Sequence, residues 1–398
     1  MLKFNQITDF SVTNKNVIVR VDVNVPINNG LIADDTRIKA ILPTLEYLTK
    51  QNAKVIVISH FGRPEGQFKK EMSISQLIQR IKDLIPEIKV NFIDDCIGEK
   101  VKNAIEKTNY GEIIILENLR FYKEETKNDE TFSKNLANFG DLYINDAFSC
   151  SHRSHSSITG IPALLPSCAG LLMGKELNNL NNIFNNPEES MMAIVGGSKV
   201  STKINLLKSL VGKVKCLVVG GGMANSFLYA LGYNVGNSLC EKELKDDALE
   251  IIQKAKINKC KIILPIDVVV TKSLVSNSHC KVKNINDIED NEIIADIGFS
   301  TTSNINQELQ NHRKVLWNGP VGAFEIKPFN IGTENIARII AGLTCQKKII
   351  SIAGGGDVVS ALNESGLINE FSYISTAGGA FLEWLEGKSL PGILALSK

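Results

Sequence analysis

The stretch 347–362, KKIISIAGGGDVVSAL, decides how the rest of the chain is read. Ile349–Ile352 reads as a buried strand, Gly354–Gly356 as a sharp turn, and the residues after them as a helix start. Glycines let a backbone bend tightly and approach a ligand without side-chain clash. The helix that follows aims free N–H groups and the positive end of its dipole into the turn, which suits phosphate. Asp357 stands where a hard cation can be held against that phosphate. An ordinary βα turn looks the same, and the Walker A pattern G-x-x-x-x-G-K-[ST] occurs nowhere in the chain. The neighbouring segments must therefore separate the two readings.

Short apolar runs of the same kind recur upstream, each followed by a helical pattern. They are Asn16–Val21, Lys54–Ile58, Glu112–Leu116 and Asp141–Ile144, then Met191–Val195, Lys215–Val219, Lys261–Leu264, Arg313–Trp317 and Lys348–Ile352. Near-continuous β-branched runs such as VIVRV and KVIVIS suit strands covered on both faces, as in a parallel sheet. Met72–Ile85, Asp129–Phe139 and Lys242–Ala255 carry helical spacing between them. The fold class is α/β: two similar-sized, doubly wound parallel-sheet (Rossmann-like) domains joined by a helix, with a cleft between them. The joining helix is read in Gly170–Asn186, where Leu171, Leu172, Leu177, Leu180 and Phe184 share a stripe and Pro187 closes it. The expected division is 1–172, a helix over 173–187, 188–374, and a C-terminal segment, 375–398, that returns to the first domain.

A chain of 398 residues is too long for one core. A net charge of +1 offers no global field for nucleic acid or a membrane surface. No apolar run is long enough to span a bilayer, and MLKFNQITDF lacks the layout of a secretory signal. The eight cysteines are scattered with no C-x-x-C pair, and Cys96, Cys216, Cys260 and Cys345 lie in or beside apolar runs. That pattern reads as buried free thiols in a reducing cytoplasm.

Ligands of an open parallel sheet bind beyond the carboxyl ends of its strands. There the two halves differ. The chain holds 36 Lys against 8 Arg, yet six arginines fall before residue 154. Five of the six occur in RVDVNVP (20–26), DDTRIKA (34–40), SHFGRP (59–64), LENLRF (116–121) and the segment ending HRSH (152–155). A guanidinium fork binds carboxylate or phosphate oxygens in pairs, which lysine cannot do. Arg37, Arg63, Arg120 and Arg153, with His60, form a candidate anion pocket. Asp22 and Asn24, two apart on a strand, face one side and can receive hydroxyls of a small polyol acid. A lone strand-end arginine is more often a surface ion pair, and Arg20, inside the apolar run, reads as an internal partner. His60, His152 and His155 have no acidic companion that would make a zinc site.

The second half collects glycine: GGSKVSTKI (196–204), GGGMAN (220–225), WNGPVGAFE (317–325) and GGGD (354–357). Strands that all end in such turns suit a flat, phosphorylated ligand such as a nucleotide. Lys199 and Lys203, at i and i+4, are read as sharing a helix face that neutralises transferring phosphate oxygens, and Glu325 as a ribose partner. A small polyanion on one domain and a nucleotide on the other is the layout of a phosphoryl-transfer enzyme whose domains close on both substrates. Another small-molecule kinase, a dinucleotide-linked enzyme and a nucleotide-binding protein without chemistry remain open at this point. The dinucleotide version expects an early G-x-G-x-x-G, where this chain has VDVNVP.

In family order over essentially the whole chain, these motifs, with LPIDVVV (264–270) and STAGGAFLEWLEGKSLPG (375–392), resemble phosphoglycerate kinases. The resemblance implies reversible, Mg2+-dependent transfer between ATP/ADP and 3-phosphoglycerate/1,3-bisphosphoglycerate, in glycolysis and gluconeogenesis. It implies direct in-line transfer with hinge closure and no covalent intermediate. It places acid-substrate contacts at Asp22, Asn24, Arg37, His60, Arg63, Arg120 and Arg153. Nucleotide contacts fall at Gly197, Lys203, Gly221, Gly298, Asn318, Pro320, Glu325, Gly355, Gly356, Asp357 and Val358, with Asp357 also nearest the metal. Arg37, Lys199, Lys203, Gly378 and Gly379 face the transferring group. A cytoplasmic monomer with small-molecule partners and no nucleic acid or membrane partner is implied as well. Val358 departs from the family's usual Thr, Ala377 from Gly, and Phe299 from Pro.

Overall fold

The computed structural model describes residues 4–28, 30–184, 190–375 and 377–397, with backbone alone over 182–184. The chain divides into two compact units, one of Met1–Asn181 with Ser389–Lys398, the other of Asn182–Lys388. Each run read as a strand is one, to within two residues at either end.

The first unit is built on a six-stranded sheet in the order Val90–Ile93, Ile113–Leu116, Lys54–Ile58, Asn16–Arg20, Leu142–Asn145, Ser167–Ala169, every pairing parallel. Lys54–Ile58, Ile113–Leu116 and Leu142–Asn145 are buried along their whole length, as β-branched runs covered on both faces require. Successive connections leave Asn16–Arg20 in opposite directions across the sheet, so a crevice opens where it meets Leu142–Asn145. The segments just past that crevice are 21–26 and 146–153. The last residues close this unit: Asn5 N–H donates to Leu396 O at 3.1 Å and Gly392 N–H to Ser151 O at 2.9 Å.

The second unit holds a six-stranded parallel sheet in the order Lys261–Ile263, Cys216–Val219, Met191–Val195, Lys314–Asn318, Ile350–Gly354, Tyr373–Ser375. In chain order this is the 3-2-1-4-5-6 arrangement of dinucleotide-binding sheets. Its switch point lies between Met191–Val195 and Lys314–Asn318, whose ends carry Gly196 and Gly319. A separate three-stranded antiparallel sheet, Cys280–Asn284, Asp267–Thr271 and Ile293–Ile297, was not legible in a reading tuned to parallel runs.

The sequence reading placed the C-terminal return at 375. The unit boundary instead falls after Lys388, because Tyr373–Ser375 pairs into the second sheet and Leu385 O accepts from Ser209 Oγ and Lys213 Nζ. The helix Leu171–Phe184 starts in the first unit, where Asp146 Oδ1 accepts from Met173 N–H at 2.9 Å, and the division falls within it. Pro187, read as its stop, lies outside the described residues. Cys96, Cys216 and Cys260 are buried free thiols, but Cys345 is exposed: it closes a helix whose last turn meets solvent, with Sγ on Glu370.

Candidate functional site

In the first unit the strand Asn16–Arg20 stops at Arg20, so Asp22 and Asn24 are loop residues rather than the strand neighbours their spacing suggested. They still converge, because Arg37, in the first turn of the helix Thr36–Lys50, draws them together. Its Nη1 donates to Asp22 Oδ2 at 2.9 Å and to Asn24 O at 3.0 Å. Ser149 Oγ donates to the same Asp22 oxygen at 2.5 Å. Asn24 Oδ1 accepts from Gly62 N–H at 2.8 Å, and Gly62 O accepts from Arg120 Nη1 at 2.7 Å. Gly62 thus ties the Asp22–Asn24–Arg37 cluster to the remaining arginines.

Arg63, Arg120 and Arg153 line one recess of about 470 Å³, together with Lys123, Lys127 and His155. Among the described residues, Glu65 is the only acidic side chain on its wall. Arg120 is mostly buried, its Nε has no hydrogen-bond partner, and burial and the Arg153 charge lower its pKa to about 10. His155 falls to about 4 through burial and then the charges of Arg120 and Arg153, so it is neutral at pH 7. His60 lies beneath, buried, with Nδ1 3.1 Å from Arg20 Nη2. Burial, followed by Arg20, holds its pKa well below the usual value. Arg20 is internal: its Nε donates to Ser157 Oγ at 2.9 Å, and Ser157 in turn donates to the buried Glu125. A neutral histidine among cations, and an Arg120 Nε without a hydrogen-bond partner among the described residues, make a recess that gains by taking an anion.

In the second unit a cleft of about 390 Å³ is lined by Gly197, Gly221, Pro320, Glu325 and Asp357. Its opposite wall is apolar, with Val268, Leu274 and Ile293 from the antiparallel sheet and its neighbouring loop. The glycines divide into two kinds. A Cβ on Gly196 would come 1.9 Å from Pro320 O, on Gly319 2.2 Å from Gly196 O, and on Gly222 2.6 Å from Ser198 O. Those glycines let neighbouring turns stack backbone on backbone. A Cβ on Gly356, Gly378 or Gly379 would meet nothing within 4 Å. Those glycines keep space open.

Lys203 is not on a helix face with Lys199. The helix Ile204–Leu210 begins after it, and Lys203 ends a turn fastened by Glu241, which accepts from Ser201 N–H at 2.9 Å and Ser201 Oγ at 2.5 Å. Spacing of i, i+4 implies a shared face only once the helix has begun. Lys199 is exposed, whereas Lys203 is mostly buried, with Nζ 2.7 Å from Gly196 O. Burial lowers the Lys203 pKa to about 8, partly opposed by Asp357. Asp357, in the first turn of the helix Gly356–Glu364, is exposed and makes no hydrogen bond or ion pair among the described residues. Such a free carboxylate beside a glycine turn at a helix start has the chemistry Mg2+ takes, one or two carboxylates with the rest of the shell from water and phosphate.

Other expected nucleotide positions do not line the cleft. Asn318 donates from Nδ2 to Gly354 O at 2.6 Å, which holds the turn around Gly355 (φ 106°). A Cβ on Gly298 would meet the Asp267 carboxylate at 2.3 Å, and that carboxylate caps the helix Phe299–Leu309 through Ser300 and Thr301 N–H. The Val358 side chain is fully buried in the core, so only its backbone N–H is available to a ligand. Phe299 is exposed.

Sequence reasoning missed Lys123 and Lys127, which sit at i, i+4 in the short helix KEETK and carry no local signal of a site, and Ser149 on Asp22. It also missed Asp296, a buried carboxyl on the cleft wall, which burial raises to about 7 and which accepts from Ile297 and Gly332 N–H. A lone aspartate inside an apolar strand, IIADI, was the available signal.

The family model described as phosphoglycerate kinase matches residues 7–388. A phosphoglycerate kinase of Rhodospirillum centenum is 46% identical over 395 residues, 99% of this chain and 100% of that protein. One of Ruegeria pomeroyi is 47% identical over 388 residues, 98% of this chain and 97% of its own. Among solved structures, a phosphoglycerate kinase from Coxiella burnetii matches with a TM-score of 0.90 and 39% identity over 99% of this chain and 98% of that one. One from Pyrococcus horikoshii matches at 0.81 and 29% identity, covering 98% of each chain.

Proposed function

This chain belongs to the phosphoglycerate kinase family, an enzyme that passes a phosphoryl group between ATP and the carboxyl group of 3-phosphoglycerate, and from that premise we propose how its residues divide the work. Arg63, Arg120 and Arg153 hold the phosphate of the acid. Asp22 and Asn24 take its hydroxyl, and Arg37 lies beside the reacting carboxylate. The observation that carries this reading is the recess where three arginines and two lysines meet a single glutamate. The Gly-lined cleft of the second unit takes the nucleotide, with the apolar wall against its base and Glu325 on the ribose. Asp357 would hold Mg2+, which supplies charge neutralisation to the polyphosphate when bound.

The acceptor carboxylate is ionised at neutral pH, so no general base is required. His60 and His155 are neutral there, but neither is needed as a nucleophile for direct transfer. Catalysis reduces to placing donor and acceptor in line and steadying the planar phosphoryl group with fixed positive charge. Arg37, Lys199, Lys203 and the N–H groups at Gly378–Gly379 and Gly356–Val358 supply it. Lys203 is already desolvated, so its charge acts at full strength on arriving phosphate oxygens. Direct transfer requires the two bound substrates to meet, so hinge closure is part of this proposal.

A reducing cytoplasm fits the free cysteines, and action as a monomer is proposed from the family resemblance alone. The test is an assay of purified protein with 3-phosphoglycerate and MgATP, coupled to a dehydrogenase that consumes 1,3-bisphosphoglycerate. Turnover that needs both substrates supports the reading. Folded protein that binds nucleotide and produces no acyl phosphate contradicts it.

A further inference from the structure

Outside both substrate regions, the second unit gathers three metal-ligating side chains. Cys216 Sγ, a Glu308 carboxylate oxygen and a His312 ring nitrogen lie within 4.8 Å of one another. Cys216 opens the strand Cys216–Val219, and His312 precedes the strand Lys314–Asn318. The cluster therefore lies at the amino ends of the parallel strands, whereas the glycine turns lie at their carboxyl ends. We infer that these three residues form a binding site for one borderline-soft divalent cation of the Zn2+ class, separate from the nucleotide cleft.

The donor set has the right chemistry. Thiolate, imidazole and carboxylate are the ligands zinc takes in proteins. Bond lengths of about 2.0–2.3 Å place tetrahedral ligand atoms roughly 3.3–3.7 Å apart; His312 Nε2 and Glu308 Oε1 already lie 3.4 Å apart, and no other pair need close by more than about 1–1.5 Å. Glu308, the least buried of the three, has the rotamer freedom to do this.

The imidazole is preset for the task. His312 is buried, and its Nδ1 lies 2.6 Å from Ser190 Oγ. Nε2 faces the cluster, and binding a cation there requires the tautomer in which Nδ1–H donates to Ser190 Oγ, with any Nε2 proton displaced. Nε2 lies 3.4 Å from Glu308 Oε1 and has no hydrogen-bond partner. A metal-bound histidine is commonly oriented in this way by a partner on its other nitrogen.

Lys261 closes the site on its solvent side. Its ammonium, which is exposed, pairs with Glu308 Oε2 and puts one positive charge beside the cluster. Displacing that ammonium opens the route in. Cys216 is fully buried, and a free cysteine thiol carries its proton at neutral pH. Binding therefore exchanges the thiol proton for the cation: the S–H bond breaks, an S–metal bond forms, and the proton leaves to solvent. This inference does not rest on the assignment of the substrate sites.

The experiment uses the full-length protein, stripped of metal and free of nucleotide, titrated with Co2+ while the thiolate-to-metal charge-transfer absorption is followed. One equivalent of Co2+ should produce the band, and Zn2+ should bleach it. Cys216→Ser should abolish it. Glu308→Gln and His312→Gln should each weaken Co2+ affinity about tenfold or more, and Lys261→Gln should strengthen it. Absence of the band in the unmodified protein overturns the inference without any variant. A band that survives Cys216→Ser belongs to another thiol and overturns it too.

Discussion

We propose that the two units bind anions by opposite means. The first uses side chains: forked arginines beyond strand ends, with Arg120 held by Gly62 O and Arg37 by Asp22. The second uses backbone: glycine turns so close that a single Cβ at Gly196 would collide with Pro320 O at 1.9 Å. Side-chain recognition tolerates change residue by residue, because each fork adds its own increment. Backbone recognition does not, because the binding surface and the packing of the turns are one object. Small, variably shaped oxygens of a sugar acid suit the first, and a flat base with a polyphosphate chain suits the second.

That contrast predicts where substitutions strike. Gly196→Ala should cost the second unit about 3 kcal/mol or more, since backbone cannot yield to a Cβ as a flexible side chain can. Denaturant unfolding should show that loss in a transition assigned to the second unit, with the first unchanged. A uniform shift of both transitions would erase the distinction.

Lys203→Ala should lower turnover about 10²-fold or more with modest effect on either substrate's affinity, as for loss of one transition-state donor. The same lysine has a pH consequence. Its pKa in the native chain is about 8, against 10.5 unfolded, because burial disfavours the charge. Between those values the unfolded chain binds the extra proton, so stability should rise with pH through that window, and Lys203→Ala should flatten the rise. An unchanged slope would remove Lys203 as its source.

Arg63→Ala should weaken 3-phosphoglycerate binding roughly 10- to 100-fold, the worth of a charge-assisted hydrogen-bond pair, and leave nucleotide affinity alone. Calorimetric titration of each ligand checks both halves. The smallest effect is expected for Val358→Thr. The side chain is fully buried in the core, so the hydroxyl enters an apolar site and costs about 1 kcal/mol without improving nucleotide binding. A gain in affinity would show that this side chain can turn toward the phosphates.

Much of this was legible in the sequence for physical reasons. β-branched runs buried on both faces announce a parallel sheet, and they located nine of the twelve strands of the two six-stranded sheets, while the short strands Val90–Ile93, Ser167–Ala169 and Tyr373–Ser375 went unread. Arginine stood out because the chain otherwise uses lysine. The misses were of two kinds. Spacing was over-read where regular structure had not begun, at Asp22/Asn24 beyond a strand end and Lys199/Lys203 before a helix start. Residues whose role comes only from tertiary placement carried no local signal: Lys123, Lys127, Ser149 and the carboxyl of Asp296. Nor does composition distinguish a glycine that packs turns, such as Gly196, from one that keeps space for a ligand, such as Gly356.

The most direct test of this division of labour is a crossed binding experiment on Arg63→Ala and Gly356→Val. Gly356 has open space where a side chain would go, so valine there intrudes on ligand rather than on protein. Arg63→Ala should lose affinity for 3-phosphoglycerate and keep MgADP, and Gly356→Val should do the reverse. Loss of both ligands in either variant, or unaltered acid binding in Arg63→Ala, would contradict the account.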